Sequence, residues 1–153
     1  CPNCTKLYTW NPSGRFFRQR ASGTSQFAHQ KQLYLNICEL IGEYGVDKRC
    51  VYTEVGFPDW LVGDTGWPLR FDIAIPSIKL AIEYNGMQHY SYKNDYHGKD
   101  KAQILEFQDQ QKNDRIKMKA IMDNDWDGLV FTYMENVFSK DWVALRLKQL
   151  FGG

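Results

Sequence analysis

Two carboxylates in otherwise apolar sequence are the residues best placed to do chemistry. Asp72 sits in Arg70-Phe71-Asp72-Ile73-Ala74-Ile75, and Glu83 in Ala81-Ile82-Glu83-Tyr84-Asn85-Gly86. A carboxylate inside a core strand is costly unless it is paired or bound to a cation. Two that converge repel, unless a divalent ion bridges them or one takes up a proton. Oxygen ligands with open water positions suit Mg²⁺, and such an ion polarises a phosphoryl oxygen and generates hydroxide. Directly afterwards comes Gly86-Met87-Gln88-His89-Tyr90. Gly86 permits a sharp exit from the strand, which delivers Gln88 and His89 beside the carboxylates. A histidine there suits a general base, a proton shuttle or a metal ligand, because imidazole titrates near neutrality. Each residue also has a plainer explanation: Asp72 paired with Arg70, Glu83 paired with Lys79, and His89 as a loop residue. Two acids on one hairpin, followed by Gly-x-Gln-His, favour the functional reading.

The elements that must position these residues can be read from periodicity. Thr24 or Ser25 caps a helix running to about Tyr44, with Leu33, Ile37, Leu40 and Ile41 at helical spacing and Gly45 at its stop. Arg49 to Val55 is β-branched and aromatic and reads as a strand. Leu69 to Ile75 and Lys79 to Tyr84 read as two more, joined by a tight turn at Pro76-Ser77 into an antiparallel hairpin. Asn85-Gly86 ends the second of them. A long helix is expected from about Asp100 to Met122, a fourth strand from Gly128 to Tyr133, and a last helix capped by Ser139. This order is that of an α/β sandwich with a mixed sheet, whose last strand crosses over through the long helix.

With 153 residues, 43% hydrophobic and 15% aromatic, the chain is long and apolar enough for one cored domain, which excludes a wholly disordered protein. No apolar run approaches the ~20 residues that span a bilayer, and no signal peptide is visible. The expected location is intracellular. A chain that opens on Cys1 is expected to be a fragment or a processed product. The net charge of +1 hides an asymmetry: residues 1–38 hold Lys6, Arg15, Arg18, Arg20 and Lys31 and no acid. Such an arm can touch a polyanion without the whole protein being basic, although a flexible solvated terminus has the same composition. Cys1 and Cys4 have the spacing of half a zinc site. Three readings stand for them: the closing half of a zinc finger, a local disulfide, or free thiols. Cys38 and Cys50 read as buried thiols.

Phe71-Asp72 followed by Ile82-Glu83-Tyr84-Asn85-Gly86-Met87-Gln88-His89-Tyr90 resembles the core of the PD-(D/E)xK nuclease superfamily. The chain is most similar to the branch of very-short-patch repair endonucleases and EDxHD homing endonucleases that many phages and giant viruses carry. The likeness spans roughly residues 27–150. It includes Gln111-Lys112-Asn113-Asp114-Arg115-Ile116-Lys117, which resembles the Gln-x-x-Asp-x-x-Lys of the family's next helix, and a half-finger just upstream, matching Cys1 to Cys4. Two positions depart. The superfamily's lysine falls on Asn85, as it is also missing in the branch. The acid often carried by the first helix falls near Tyr34, where Gln30 or Gln32 is a neutral substitute.

The resemblance implies a restriction-endonuclease-like α/β/α sandwich with a central mixed four-stranded sheet in residues 26–153, preceded by an arm in residues 1–25. It implies a Mg²⁺-dependent DNA endonuclease, with Mn²⁺ as a substitute ion. Asp72 and Glu83 would be the metal ligands, His89 the base or water-positioning group, and Gln88 the group orienting the water. Gln111, Asp114 and Lys117 would form an outer layer or touch substrate. Arg15, Arg18, Arg20, Lys31 and Lys93 are expected on DNA phosphates, with Phe16, Phe17, Trp10, Trp60 and Trp67 as candidate wedges. Cys1 and Cys4 would form a partial Zn²⁺ site, and a dimer would suit double-strand cleavage. The competing reading is a catalytically degenerate DNA-binding module that retains the fold.

Overall fold

The computed structural model of the chain describes residues 9–10, 25–86 and 101–152. In chain order the main elements are β1 (Thr9–Trp10), α1 (Ser25–Leu40), β2 (Tyr52–Gly56), β3 (Arg70–Ile75), β4 (Leu80–Asn85), α2 (Lys101–Asp123), β5 (Asp127–Thr132) and α3 (Lys140–Phe151). Strands β2 to β5 form a mixed sheet in sequence order, and β1 adds two residues along the free edge of β2. The β2–β3 and β3–β4 pairs are antiparallel, while β4–β5 is parallel. A parallel pair needs a crossover connection, and α2 is that crossover, as the element order required. The chain is thus a mixed α/β protein. Among its described residues no helix is long and apolar enough to cross a membrane.

Both faces of the sheet are covered. Successive residues of a strand point to opposite faces, and residues 83 and 84 show it. Tyr84 stacks under His29 of α1 at a centroid distance of 5.7 Å, whereas Glu83 meets Lys117 of α2. The stripe Leu33, Ile37 and Ile41 is fully buried, as helical spacing predicted. Against it lie Phe71, Ile73, Ile75 and Ile82, also fully buried. On the other face α2 comes close to β5: a Cβ placed on Gly128 would stand 3.3 Å from Ile121 Cδ1. Ser139 caps α3 as expected, its Oγ accepting from Trp142 N–H at 3.2 Å. Buried Asn36 ties α1 to the turn before α3 by donating from Nδ2 to Val137 O at 2.7 Å. At the outer edge of the sheet, Arg146 Nη2 donates to Val130 O of β5 at 3.0 Å. The same guanidinium lies 4.6 Å from the centre of the Phe131 ring and pairs with Glu135.

Several boundaries differ from the sequence reading, each for a local reason. The α-helical part of the first helix stops at Leu40 and tightens into a 3₁₀ turn over Ile41–Tyr44, before Gly45 closes it at φ 77°. The first long strand starts at Tyr52 and not at Arg49. Asp47 accepts the Arg49 N–H at 2.8 Å and winds Lys48–Cys50 into a 3₁₀ turn. The hairpin connection is a 3₁₀ turn over Pro76–Ile78 that exits through Lys79 at φ 52°, rather than a two-residue turn. Cys38 is a free, half-buried thiol as expected. Cys50 is buried but disulfide-bonded, where a thiol was expected.

Asn36→Ala removes the donor to Val137 O and leaves a buried carbonyl unpaired. It is expected to cost about 1–3 kcal/mol, read as a lowered urea midpoint at an unchanged slope.

Candidate functional site

The β3–β4 ladder runs from Ile75↔Leu80 through Ala74↔Ala81 to Ile73↔Ile82. The next row sets Asp72 opposite Glu83, and there carboxylates replace carbonyls as acceptors. Asp72 N–H donates to Glu83 Oε2 at 3.1 Å, and Tyr84 N–H donates to Asp72 Oδ2 at 2.9 Å. Beyond that row β3 stays with β2 through Phe71↔Val55 and Arg70↔Gly56, and β4 stays with β5 through Tyr84↔Phe131 and Asn85↔Thr132. The sheet therefore parts at the two acids, and their side chains hold the parting together.

The third member comes from α2. Lys117 Nζ donates to Glu83 Oε1 at 2.7 Å, with the Lys117 and Glu83 side chains only 17% and 11% exposed. Lys117 takes the place that the plainer reading gave to Lys79, which is exposed at the hairpin turn. Burial would push the Lys117 ammonium down, but the charges of Glu83 and Asp72, the bond to Glu83 and the charge of Asp114 carry it above its usual range. Asp72 is held well above the ordinary carboxylate range. Burial is the main cause, followed by the charge of Glu83 and a hydrogen bond to it; Lys117 and the Tyr84 N–H offset this in part. Two carboxylates against one ammonium leave a desolvated excess of negative charge, which a proton or a further cation relieves. The donor set thus fits a hard divalent ion that takes its remaining ligands from water or substrate oxygens. Among the described residues no group of three or more His, Cys, Asp or Glu side chains is arranged to hold a metal ion.

Asp114 and Lys117, three apart on α2, line a cavity of about 40 Å³ together with Glu83 and Asn85. Gln111 is half-buried one turn earlier on the helix and does not line this cavity. Gln88, His89 and Lys93, the arm residues Arg15, Arg18 and Arg20, and Cys1 and Cys4 lie outside the described residues. Lys31 is half-buried on α1, the helix on the face away from Lys117. In α1, Gln32 is engaged with Asn36 at 3.2 Å. Burial and the neighbouring Cys38 push the Tyr34 hydroxyl up to about 12, so it is neutral at physiological pH. Gln30 is 4% exposed, and its Nε2 has no hydrogen-bond partner. Trp60 packs on Phe57 and Trp126 and is a structural residue rather than a wedge. Trp67 is 74% exposed, in a loop tied to α2 by an Asp64–Lys112 ion pair.

What the sequence did not reveal is the parting of the strands and the direct bond between Lys117 and Glu83. The spacing of Gln111, Asp114 and Lys117 was the signal that this helix face mattered.

No family model matches the chain, and no solved structure matches it. A 56-residue stretch is 38% identical to an uncharacterized protein, 307L, of Invertebrate iridescent virus 6. The match takes in 37% of this chain and 26% of the viral protein.

Because folding raises the Asp72 pKa, the folded chain holds that proton more tightly than the unfolded chain. From the ordinary carboxylate pKa of about 4 up to the folded value, stability falls as pH rises. Asp72→Asn removes the charge while keeping an acceptor for the Tyr84 N–H. In EDTA its Tm at pH 7 is expected to exceed that of the wild type, with the gain shrinking towards pH 4. A lower Tm at pH 7 by scanning calorimetry would contradict the assignment.

Proposed function

We propose that the chain is a metal-dependent DNA endonuclease of the PD-(D/E)xK type, with a restriction-endonuclease-like α/β/α arrangement, acting inside the cell that contains it. The observation that carries this reading is the meeting of Asp72 and Glu83 on neighbouring strands where the sheet parts, with an excess of buried negative charge. Asp72 and Glu83 would hold Mg²⁺, or Mn²⁺ in its place. When bound, the ion supplies Lewis-acid polarisation of the scissile phosphate and a water of lowered pKa. His89 accepts the proton of the attacking water, and Gln88 orients that water. Gln111 and Asp114 stand along α2 as groups that steady the site or meet the substrate backbone. Arg15, Arg18, Arg20, Lys31 and Lys93 neutralise substrate phosphates, which makes binding salt-dependent. A monomer suits nicking, and a dimer suits cutting both strands.

One observation favours a second reading, a DNA-binding module without activity. The two strands contribute only Asp72 and Glu83, joined at the cavity by Asp114 of α2, Asn85 stands where the superfamily has lysine, and α1 offers the neutral Gln30 and Tyr34.

The test is incubation of the purified chain with supercoiled plasmid and Mg²⁺ or Mn²⁺, beside an EDTA control. Relaxed or linear product that requires the metal is expected, with Asp72→Asn and Glu83→Gln each losing about 1,000-fold or more. Wild-type rates from either variant would sink the assignment. Plasmid that stays intact while still being bound would establish the inactive module. His89→Ala is expected to slow cleavage by about 100-fold or more, and an unchanged rate would remove His89 from the chemistry.

A further inference from the structure

We infer that Glu54 is a positioning residue for the acid pair: its left-handed backbone opens β2 opposite Asp72 and leaves Asp72 to Glu83. The inference deepens the nuclease reading, and its meaning for catalysis rests on that reading. Three observations carry it. Glu54 lies within β2, yet its φ is 55°. The other described non-glycine residues with positive φ, Lys79 and Asp125, stand in turns. The left-handed region crowds the Cβ of an L residue, and regular strands do not use it. The β2–β3 pairing lapses at this same residue. Thr53 pairs with Ile73 and Val55 with Phe71, but Glu54 does not pair with Asp72. The flanking pairs keep one register, so no residue is inserted and the kink is not a bulge. Asp72 has no ladder partner on β4 either, where the pairing ends at Ile73↔Ile82.

Asp72 is thus released by both neighbouring strands in the one row where its carboxylate is used. Regular pairing would fix its N–H and C=O in the plane of the sheet, and with them the direction of its side chain. Released, its N–H turns to Glu83 Oε2 at 3.1 Å, and its Oδ2 accepts from Tyr84 N–H at 2.9 Å. The rows on either side hold the kink in place. Val55, Phe71 and Ile73 are fully buried there, so β2 and β3 cannot slide to relieve it. A strained backbone persists only where its surroundings over-determine it in this way. Glycine would carry this φ without a steric penalty, but the position holds a half-buried glutamate. Glu54 acts on the acids through its backbone and has no part in the chemistry itself.

A left-handed position and an ordinary strand position have opposite signatures. In an ordinary strand Gly is less stable than Ala, whereas at positive φ Ala is the less stable of the two. Both lack the Glu54 side chain, so comparing them isolates the backbone. The experiment is thermal unfolding of the whole chain as Glu54→Gly, Glu54→Ala and Glu54→Val. Hydrogen exchange of the Tyr84 amide is followed alongside by NMR, relative to the Ile73 and Ile82 amides. The expected Tm of Glu54→Gly lies about 2–4 °C above that of Glu54→Ala. Glu54→Val lies lowest, because a β-branched residue fits positive φ worst. In Glu54→Val the Tyr84 amide loses about tenfold or more of its relative protection, while Glu54→Gly keeps the wild-type ratio. A general loss of stability would move all three amides together. An Ala variant as stable as the Gly variant overturns the inference, as does a wild-type amide ratio in folded Glu54→Val. If Val does not fold, the ratio is read in Glu54→Ala. Plasmid cleavage is expected about 100-fold lower for Glu54→Val than for Glu54→Gly, and equal rates overturn the positioning role. A wild type that does not cleave removes the nuclease reading, and the stability order and the Tyr84 amide still decide the role of Glu54.

Discussion

Asp72 and Glu83 stand side by side on neighbouring strands, with Phe71, Ile73, Ile82 and Tyr84 buried around them in sequence. Water does little there to screen one charge from the other, so every group within reach is drawn into compensating them. The N–H groups of Asp72 and Tyr84 abandon the regular ladder and turn to carboxylate oxygens. Lys117 gives up most of its hydration to reach Glu83. These bonds satisfy the acids without neutralising both of them. A hydrophobic pair of similar volume at these positions would avoid the desolvation cost altogether, so the arrangement is poorly explained as a device for stability. It is the place where the proposed function would put a cation.

The rest of the fold can be understood as what it takes to keep that row in place. The hairpin of β3 and β4 brings the two acids to one level. The crossover through α2 then carries Lys117 over the same face, and the parallel pairing of β4 with β5 fixes how far along the strand the helix lies. Gly128 lets Ile121 settle directly onto β5, which holds the helix low over the sheet. On the opposite face, α1 and α3 are tied together by Asn36 and by the Lys140–Glu39 pair at 3.0 Å. That face is sealed with large apolar side chains, and its packing confines the polar chemistry to the other side.

Much of this was legible in the residues. The alternation of Leu69 to Ile75 and Lys79 to Tyr84, the stripe Leu33-Ile37-Ile41, and the cap at Ser139 are local signals, and local physics decides them. The strand beginning at Tyr52 was misplaced because one side chain, Asp47, outbid β-propensity over three residues. The parting of β3 from β4 had no local signal, since Phe71-Asp72 and Glu83-Tyr84 read as ordinary strand. It arises only when two strands and a helix some thirty residues away in sequence meet. Lys117 was visible as one of several polar residues on a helix face. That it would bind Glu83, and not a partner on its own helix, depends on how low α2 lies over the sheet. Trp60 and Trp67 were both candidate wedges, but packing against Phe57 and Trp126 engages Trp60, whereas Trp67 stays exposed.

The guanidinium of Arg146 on β5 bears on the solubility of the fold. A final strand offers its unused carbonyls to any other extended chain, and edge-to-edge stacking of that kind is a route to aggregates. Here one of those carbonyls, Val130 O, is already taken by Arg146, which is itself held by Glu135 and spread over the Phe131 ring. An intruding strand would have to break this arrangement and bury a charge before gaining its first hydrogen bond. At this position the sheet ends against a side chain and so resists being extended.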